Sequence, residues 1–233
     1  MTEAPLSRYG LIKATLGPVL SLVCRPKMRG KEHIPPTGPV ILAGNHVAFL
    51  DSLILQLVCQ RRVIFIGKGE YMTGKGFKGK LQSWFFSSGG MIPVDRGHVG
   101  AASAALMTGC RLLNEGHAFG VFPEGTRSPD GRLYRGRTGI ARLALMTGAP
   151  IVPFAVTGTE KVQPSGAGLP RPARVKVSFG APLEFSRYDG LERDRYVLRA
   201  ITDTVMNEVR QLSGQEYVDV YATKIKTSQA VRG

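Results

Sequence analysis

Short apolar runs alternate with helical patterns along almost the whole chain, and that alternation limits the possible folds more than any other feature. GPVILAG (38–44), RVIFIG (62–67), GGMIPV (89–94), AFGVF (118–122) and PIVPFAV (150–156) read as strands. Between them DSLILQLVCQ (51–60), FKGKLQSWFFS (77–87), VGAASAALMTGCRLLNEG (99–116) and RTGIARLALMTG (137–148) have helical spacing, and Gly116 is a natural helix terminator. ARVKVSFG (173–180) alternates at Val175, Val177 and Phe179, and a long helix is predicted from Asp194 to Leu212. Repeated strand–helix units place successive strands parallel, with helices covering the sheet. The predicted fold is therefore α/β, a mostly parallel mixed sheet flanked by helices, and 233 residues suffice for one such domain.

The chain also has a hydrophobic N-terminus and an excess of positive charge. YGLIKATLGPVLSLVC (9–24) is interrupted by Gly10, Lys13 and Gly17-Pro18, and it falls short of the roughly 20 apolar residues that a bilayer span needs. The basic stretch RPKMRGK follows it. Residues 1–30 are read as an amphipathic helical membrane-association segment, with a helix simply packed on the domain as the equal alternative; 31–233 form the α/β domain. The 31 Lys and Arg against 17 Asp and Glu give a net charge of +14. That balance suits a nucleic acid, an anionic membrane surface or a phosphorylated substrate. The aromatics lie in apolar runs and no RNA-binding signature occurs, which argues against nucleic acid. Three scattered cysteines, Cys24, Cys59 and Cys110, form no CxxC and read as reduced core residues. The four histidines lack ligand spacing, so no metal site is expected.

In parallel α/β sheets ligands sit beyond the carboxyl ends of strands. Three polar motifs fall there: NH after 38–44, DRG after 89–94 and PEGTRS after 118–122. His46 and Asp51 stand five positions apart in GNHVAFLDS. On a regular helix such residues point about 140° apart and cannot pair. With His46 in a loop and Asp51 opening the next helix, Asp51 can cap that helix and turn its other oxygen to the imidazole. A carboxylate on one ring nitrogen fixes the tautomer and leaves the other nitrogen to take a proton. The plain alternative is an N-cap beside a satisfied loop histidine. In VFPEGTRS, Gly125 opens the turn and Arg127 suits phosphate, or Glu124 and Arg127 merely brace one another; Arg96 in IPVDRG has the same two readings. GEYMTGKG (69–76) mimics a phosphate-binding loop, but Gly76 replaces the hydroxyl residue that would hold Mg²⁺. Lys68, Lys75, Lys78 and Lys80 read as a basic rim or a plain solvated face, and Trp84, Phe85 and Phe86 as core or as the lining of an acyl tunnel.

Taken in order, NHVAFLDS, IPVDRG, FPEGTRS and PIVPFAV resemble the four blocks of the glycerolipid acyltransferase family, closest to the bacterial 1-acyl-sn-glycerol-3-phosphate acyltransferases. The likeness runs from about residue 38 to residue 180. It implies a catalytic base at His46, oriented by Asp51. It also implies acceptor binding by Arg96, Glu124, Gly125, Thr126 and Arg127, with Arg135 and Arg137 as possible additions to a phosphate pocket. Ala48 stands where the family often has a small hydroxyl residue. The implied reaction takes an acyl group from acyl-CoA or acyl carrier protein to a lysophospholipid hydroxyl, without cofactor, on the cytoplasmic face of the cell membrane. Glycerol 3-phosphate, another lysophospholipid or a glycolipid is the rival acceptor, and the rival of another class is a basic protein that binds nucleic acid or anionic lipid without catalysis.

Overall fold

The computed structural model describes residues 6–68, 91–94, 100–162 and 171–232. Among them nine strands are formed: β1 (Lys27–Arg29), β2 (Val40–Gly44), β3 (Val63–Lys68), β4 (Met91–Val94), β5 (Ala118–Val121), β6 (Leu133–Tyr134), β7 (Ile151–Thr157), β8 (Lys176–Phe179) and β9 (Tyr217–Val218). The helices are α1 (Leu6–Cys24), α2 (Leu50–Val58), α3 (Ala101–Asn114), α4 (Gly139–Thr147), α5 (Thr159–Val162), α6 (Arg195–Ser213) and α7 (Ala222–Arg232). Seven strands make one sheet in the order β1-β8-β7-β2-β5-β3-β4, while β6 and β9 pair separately. All pairs in the large sheet are parallel except β7 with β8, as expected for a mostly parallel mixed sheet.

Strand β2 shows why a continuous apolar run is needed at the centre. Side chains alternate between the faces of a strand, and both faces here are covered. Ile41 and Ala43 join Phe119, Leu113, Leu143 and Ile201 on one side. Val40 and Leu42 join Ile54, Leu55, Phe65 and Phe154 on the other. At the strand's end a Cβ on Gly44 would run into the ring of Phe154, so only glycine lets the chain leave the sheet there. Helix α6 is capped by Asp194, whose side chain accepts from the amides of Tyr196 and Val197. The three cysteines are buried and unbonded, and burial pushes the Cys59 thiol up to about 12.

The N-terminal segment is one helix containing Pro18, with apolar residues spread around its axis more than gathered in a stripe. It packs against α2 and α5, and Lys13 Nζ donates to the carbonyl of Cys59 at 2.7 Å. Cys24 is fully buried and β1 is the edge strand beside β8, so residues 24–29 pack with the α/β body although they lie within the 1–30 segment. No described helix is long and apolar enough to cross a membrane. The expected helix 77–87, the loop 69–76, Lys75, Lys78 and Lys80 of the basic rim, the aromatics Trp84–Phe86 and the Asp95-Arg96 pair lie outside the described residues, while Lys68 ends β3.

Candidate active site

Strands β2 and β5 are parallel neighbours, with Ala43 opposite Val121, so the loops after both leave the same edge of the sheet. Asn45 fixes the first loop. Its Oδ1 accepts from the amide of Val156 at 2.8 Å and its Nδ2 donates to the carbonyl of Val156 at 2.9 Å, so a side chain pairs with β7 as backbone would. The main chain of His46 is then held on both sides. Its amide donates to Glu124 Oε1 at 3.0 Å and its carbonyl accepts from the amide of Ser128 at 2.7 Å.

The imidazole Nδ1 lies 2.9 Å from Asp51 Oδ2, and the ring stacks on Phe122 with centroids 4.0 Å apart and planes inclined by 11°. An ionised carboxylate can only accept, so the neutral ring is protonated at Nδ1 and Nε2 keeps its lone pair. Asp51 is fully buried and fully bonded: Oδ2 also accepts from the amides of Val47 and Ala48, each at 2.8 Å, and Oδ1 accepts from Thr159 Oγ1 at 2.5 Å. Asp51 does not cap α2 with one oxygen and meet the histidine with the other, as the sequence suggests. Phe49 occupies the N-cap position without a side-chain bond, and Asp51, inside the first turn, reaches backwards. One oxygen serves the imidazole and both upstream amides; the other is taken by a threonine 108 residues away in sequence.

Glu124 also departs from expectation. The family resemblance places it in acceptor binding, but it is 1% exposed and both oxygens are occupied by backbone amides, Oε1 by His46 and Oε2 by Tyr134 at 3.0 Å. It is a brace between the two loops, and its partner is not Arg127. Burial raises its carboxyl to about 7 against the opposing pull of the two amides. A carboxyl raised from 4.5 to about 7 binds its proton more tightly in the folded chain. Its stabilisation is therefore complete below about pH 4.5 and fades as pH rises through about 7, amounting to roughly 3 kcal/mol. Glu124→Gln removes this component. Denaturant titrations at pH 5 and pH 8 should show the variant more destabilised, relative to wild type, at the lower pH.

Next to it, Gly125 has φ 75°, a left-handed conformation, and a Cβ there would stand 2.9 Å from Arg137 Nε. His46, Gly125, Thr126, Arg127 and Arg137 line one cavity of about 600 Å³, whose other walls include Phe65, Leu106, Phe119, Ile140 and Leu143. An imidazole acceptor, cationic groups and a long apolar wall suit an amphiphilic anion. Arg135 faces away: its Nε is 3.5 Å from Asp219. Arg96, which the sequence places in this pocket, lies outside the described residues. Sequence reasoning missed Asn45, Thr159 and Lys226, the last also on the cavity wall; the only signal for Thr159 was a TGTE turn after a strand.

A mostly parallel sheet carries this imidazole–carboxylate pair and the cavity at its carboxyl edge, which is the frame of an α/β enzyme. The chain belongs to the acyltransferase family, whose model matches residues 25–157. It is 33% identical over 166 residues to a chloroplastic 1-acyl-sn-glycerol-3-phosphate acyltransferase of Arabidopsis thaliana, covering 70% of this chain and 45% of that one. It therefore spans less than half the length of that plant relative. With a 1-acyl-sn-glycerol-3-phosphate acyltransferase of Bacillus subtilis (strain 168) it shares 30% identity over 212 residues, 89% of this chain and 98% of the other. The crystal structure of the 1-acyl-sn-glycerophosphate acyltransferase PlsC from Thermotoga maritima superposes with a TM-score of 0.66 at 25% identity, over 91% of this chain and 83% of that one.

Proposed function

We propose that the chain is a 1-acyl-sn-glycerol-3-phosphate O-acyltransferase. It moves a fatty acyl group from acyl-CoA, or from acyl carrier protein, to the free hydroxyl of the lysophospholipid and yields phosphatidic acid, with no cofactor. The observation that carries this reading is the 2.9 Å contact between His46 Nδ1 and the buried Asp51, on a residue that faces the cavity lined by Thr126 and Arg127.

The chemistry follows from those groups. The acceptor hydroxyl gives its proton to Nε2 of His46 as its oxygen attacks the thioester carbonyl carbon. Asp51 stabilises the resulting imidazolium, the C–S bond breaks, and the thiolate recovers the proton from Nε2. Arg127, together with Arg96, holds the phosphate and so fixes the hydroxyl at attacking distance. Phe65, Phe119 and Leu143 offer an apolar wall to an acyl chain. Exposed Val19 and Leu22 on α1, followed by exposed Arg25, Lys27 and Arg29, suit an anionic membrane surface on the cytoplasmic side.

The test is acyl transfer from defined thioesters to defined lysolipids, with products identified by mass spectrometry. Phosphatidic acid from lysophosphatidate supports the reading; product only from glycerol 3-phosphate or from other lysolipids overturns it. Arg127→Ala should raise the acceptor KM about tenfold, the equivalent of one charge-assisted hydrogen bond, with a smaller change in donor KM.

A further inference from the structure

The family match ends at residue 157, yet the chain's last segment reaches back into the cavity. Beyond α6 it is tied to the loop that follows the PEGTRS turn. β9 pairs with β6, setting Leu133 opposite Tyr217, and the amide of Arg135 donates to the carbonyl of Val220 at 3.1 Å. Gln215 bridges both site loops: its Oε1 accepts from Asn45 Nδ2 at 2.8 Å and its Nε2 donates to the carbonyl of Gly131 at 2.6 Å. Ala222 is fully buried, anchoring the start of α7. Arg137 lies 5.2 Å over the ring of Tyr221 and donates to Thr223 Oγ1 at 3.2 Å. Four residues after Ala222, on the same helix face, Lys226 Nζ donates to Thr126 Oγ1 at 2.9 Å.

Arg127, Arg137 and Lys226 thus come to one cavity from three different segments, and none of its described lining residues is acidic. The buried Glu124 carboxyl behind the wall feels the charge of Lys226, but the cavity face itself presents three cationic side chains and a positive potential. We propose that Lys226 is a phosphate-binding residue of the acyl-transfer site, carried there by a C-terminal strap, residues 214–232, that clasps the two site loops. This deepens the reading of the pocket given above and rests on it. The shared chemistry is a phosphate group, and either substrate of the reaction has one: the lysophosphatidate headgroup or the phosphates of the acyl carrier.

The experiment compares wild type with Lys226→Gln and Lys226→Arg in the intact chain. Lys226→Gln should raise one KM about tenfold, the loss of a charge-assisted hydrogen bond, with kcat within about twofold and Lys226→Arg recovering most of the loss. A rise confined to lysophosphatidate identifies the acceptor headgroup, and one confined to acyl-CoA identifies the carrier. Calorimetric titration with glycerol 3-phosphate and with coenzyme A reads the same site without turnover, so it decides the role of Lys226 even if lysophosphatidate is not the acceptor. Weakened binding of either probe by Lys226→Gln, at an unchanged unfolding midpoint, supports the assignment. Unchanged KM values and unchanged titrations, or a variant that loses its effect on binding once its stability is matched, overturn it.

Discussion

His46→Ala is expected to lower acyl transfer by roughly a hundredfold to ten-thousandfold, the range that a positioned general base contributes. The same change should leave the unfolding transition nearly in place. Two features of the site separate these effects. The ties that hold residue 46 run through its main chain, to Glu124 Oε1 and to the amide of Ser128, and alanine keeps both. The imidazole is partly exposed, at 19%, so its removal opens a gap to the cavity more than a sealed void. Asp51 loses one of four donors and keeps Val47, Ala48 and Thr159. Rates at saturating acceptor, read with a denaturant titration on the same preparation, check both halves. Retention of full activity would remove the imidazole from the chemistry whatever the fold.

The parts of this site that were legible in the sequence are those whose geometry is local. His46 and Asp51 are five residues apart, so a strand end and a helix start suffice to bring them together, and Arg127 and Gly125 belong to one turn. The strands and long helices were legible for the same reason: β2, β5, β7 and α6 carry their own periodicity. What the sequence concealed depends on strand order. Once β2 lies beside β5, the amide of His46 reaches Glu124, and an apparent ligand turns out to be a brace. Thr159 reaches Asp51 only because β7 is the other neighbour of β2. The pairs β6 and β9 have two residues each, too short for any alternation, and α7 is mostly polar, so the route of Lys226 to the cavity left no pattern to read.

Asp51→Ala should destabilise the protein by roughly 3–5 kcal/mol, a large share of the 5–15 kcal/mol that holds a typical domain together. Its carboxylate is fully buried, and it gathers the Val47 and Ala48 amides, the imidazole N–H and the Thr159 hydroxyl. Alanine leaves these donors facing one another around a polar void, and each unsatisfied buried donor costs about 1–3 kcal/mol unless it rotates away or water enters. Thr159 can rotate; the two amides, fixed in the turn before α2, cannot. Asp51→Asn separates structure from chemistry. Its carbonyl oxygen has one favourable place, facing the two amides and the imidazole N–H, which leaves the NH₂ to donate to Thr159. The tautomer of His46 is then preserved and the fold should stay within about 1 kcal/mol of wild type, since every buried group keeps a partner. Only the negative charge opposite the imidazolium is gone, so kcat should fall by roughly tenfold to a hundredfold, less than for His46→Ala. Thermal unfolding together with single-turnover rates would show the split: Asp51→Ala low in both, Asp51→Asn low in rate alone. A stable, fully active Asp51→Ala would mean that the imidazole needs no carboxylate to hold it, and the orienting role given to Asp51 would fall.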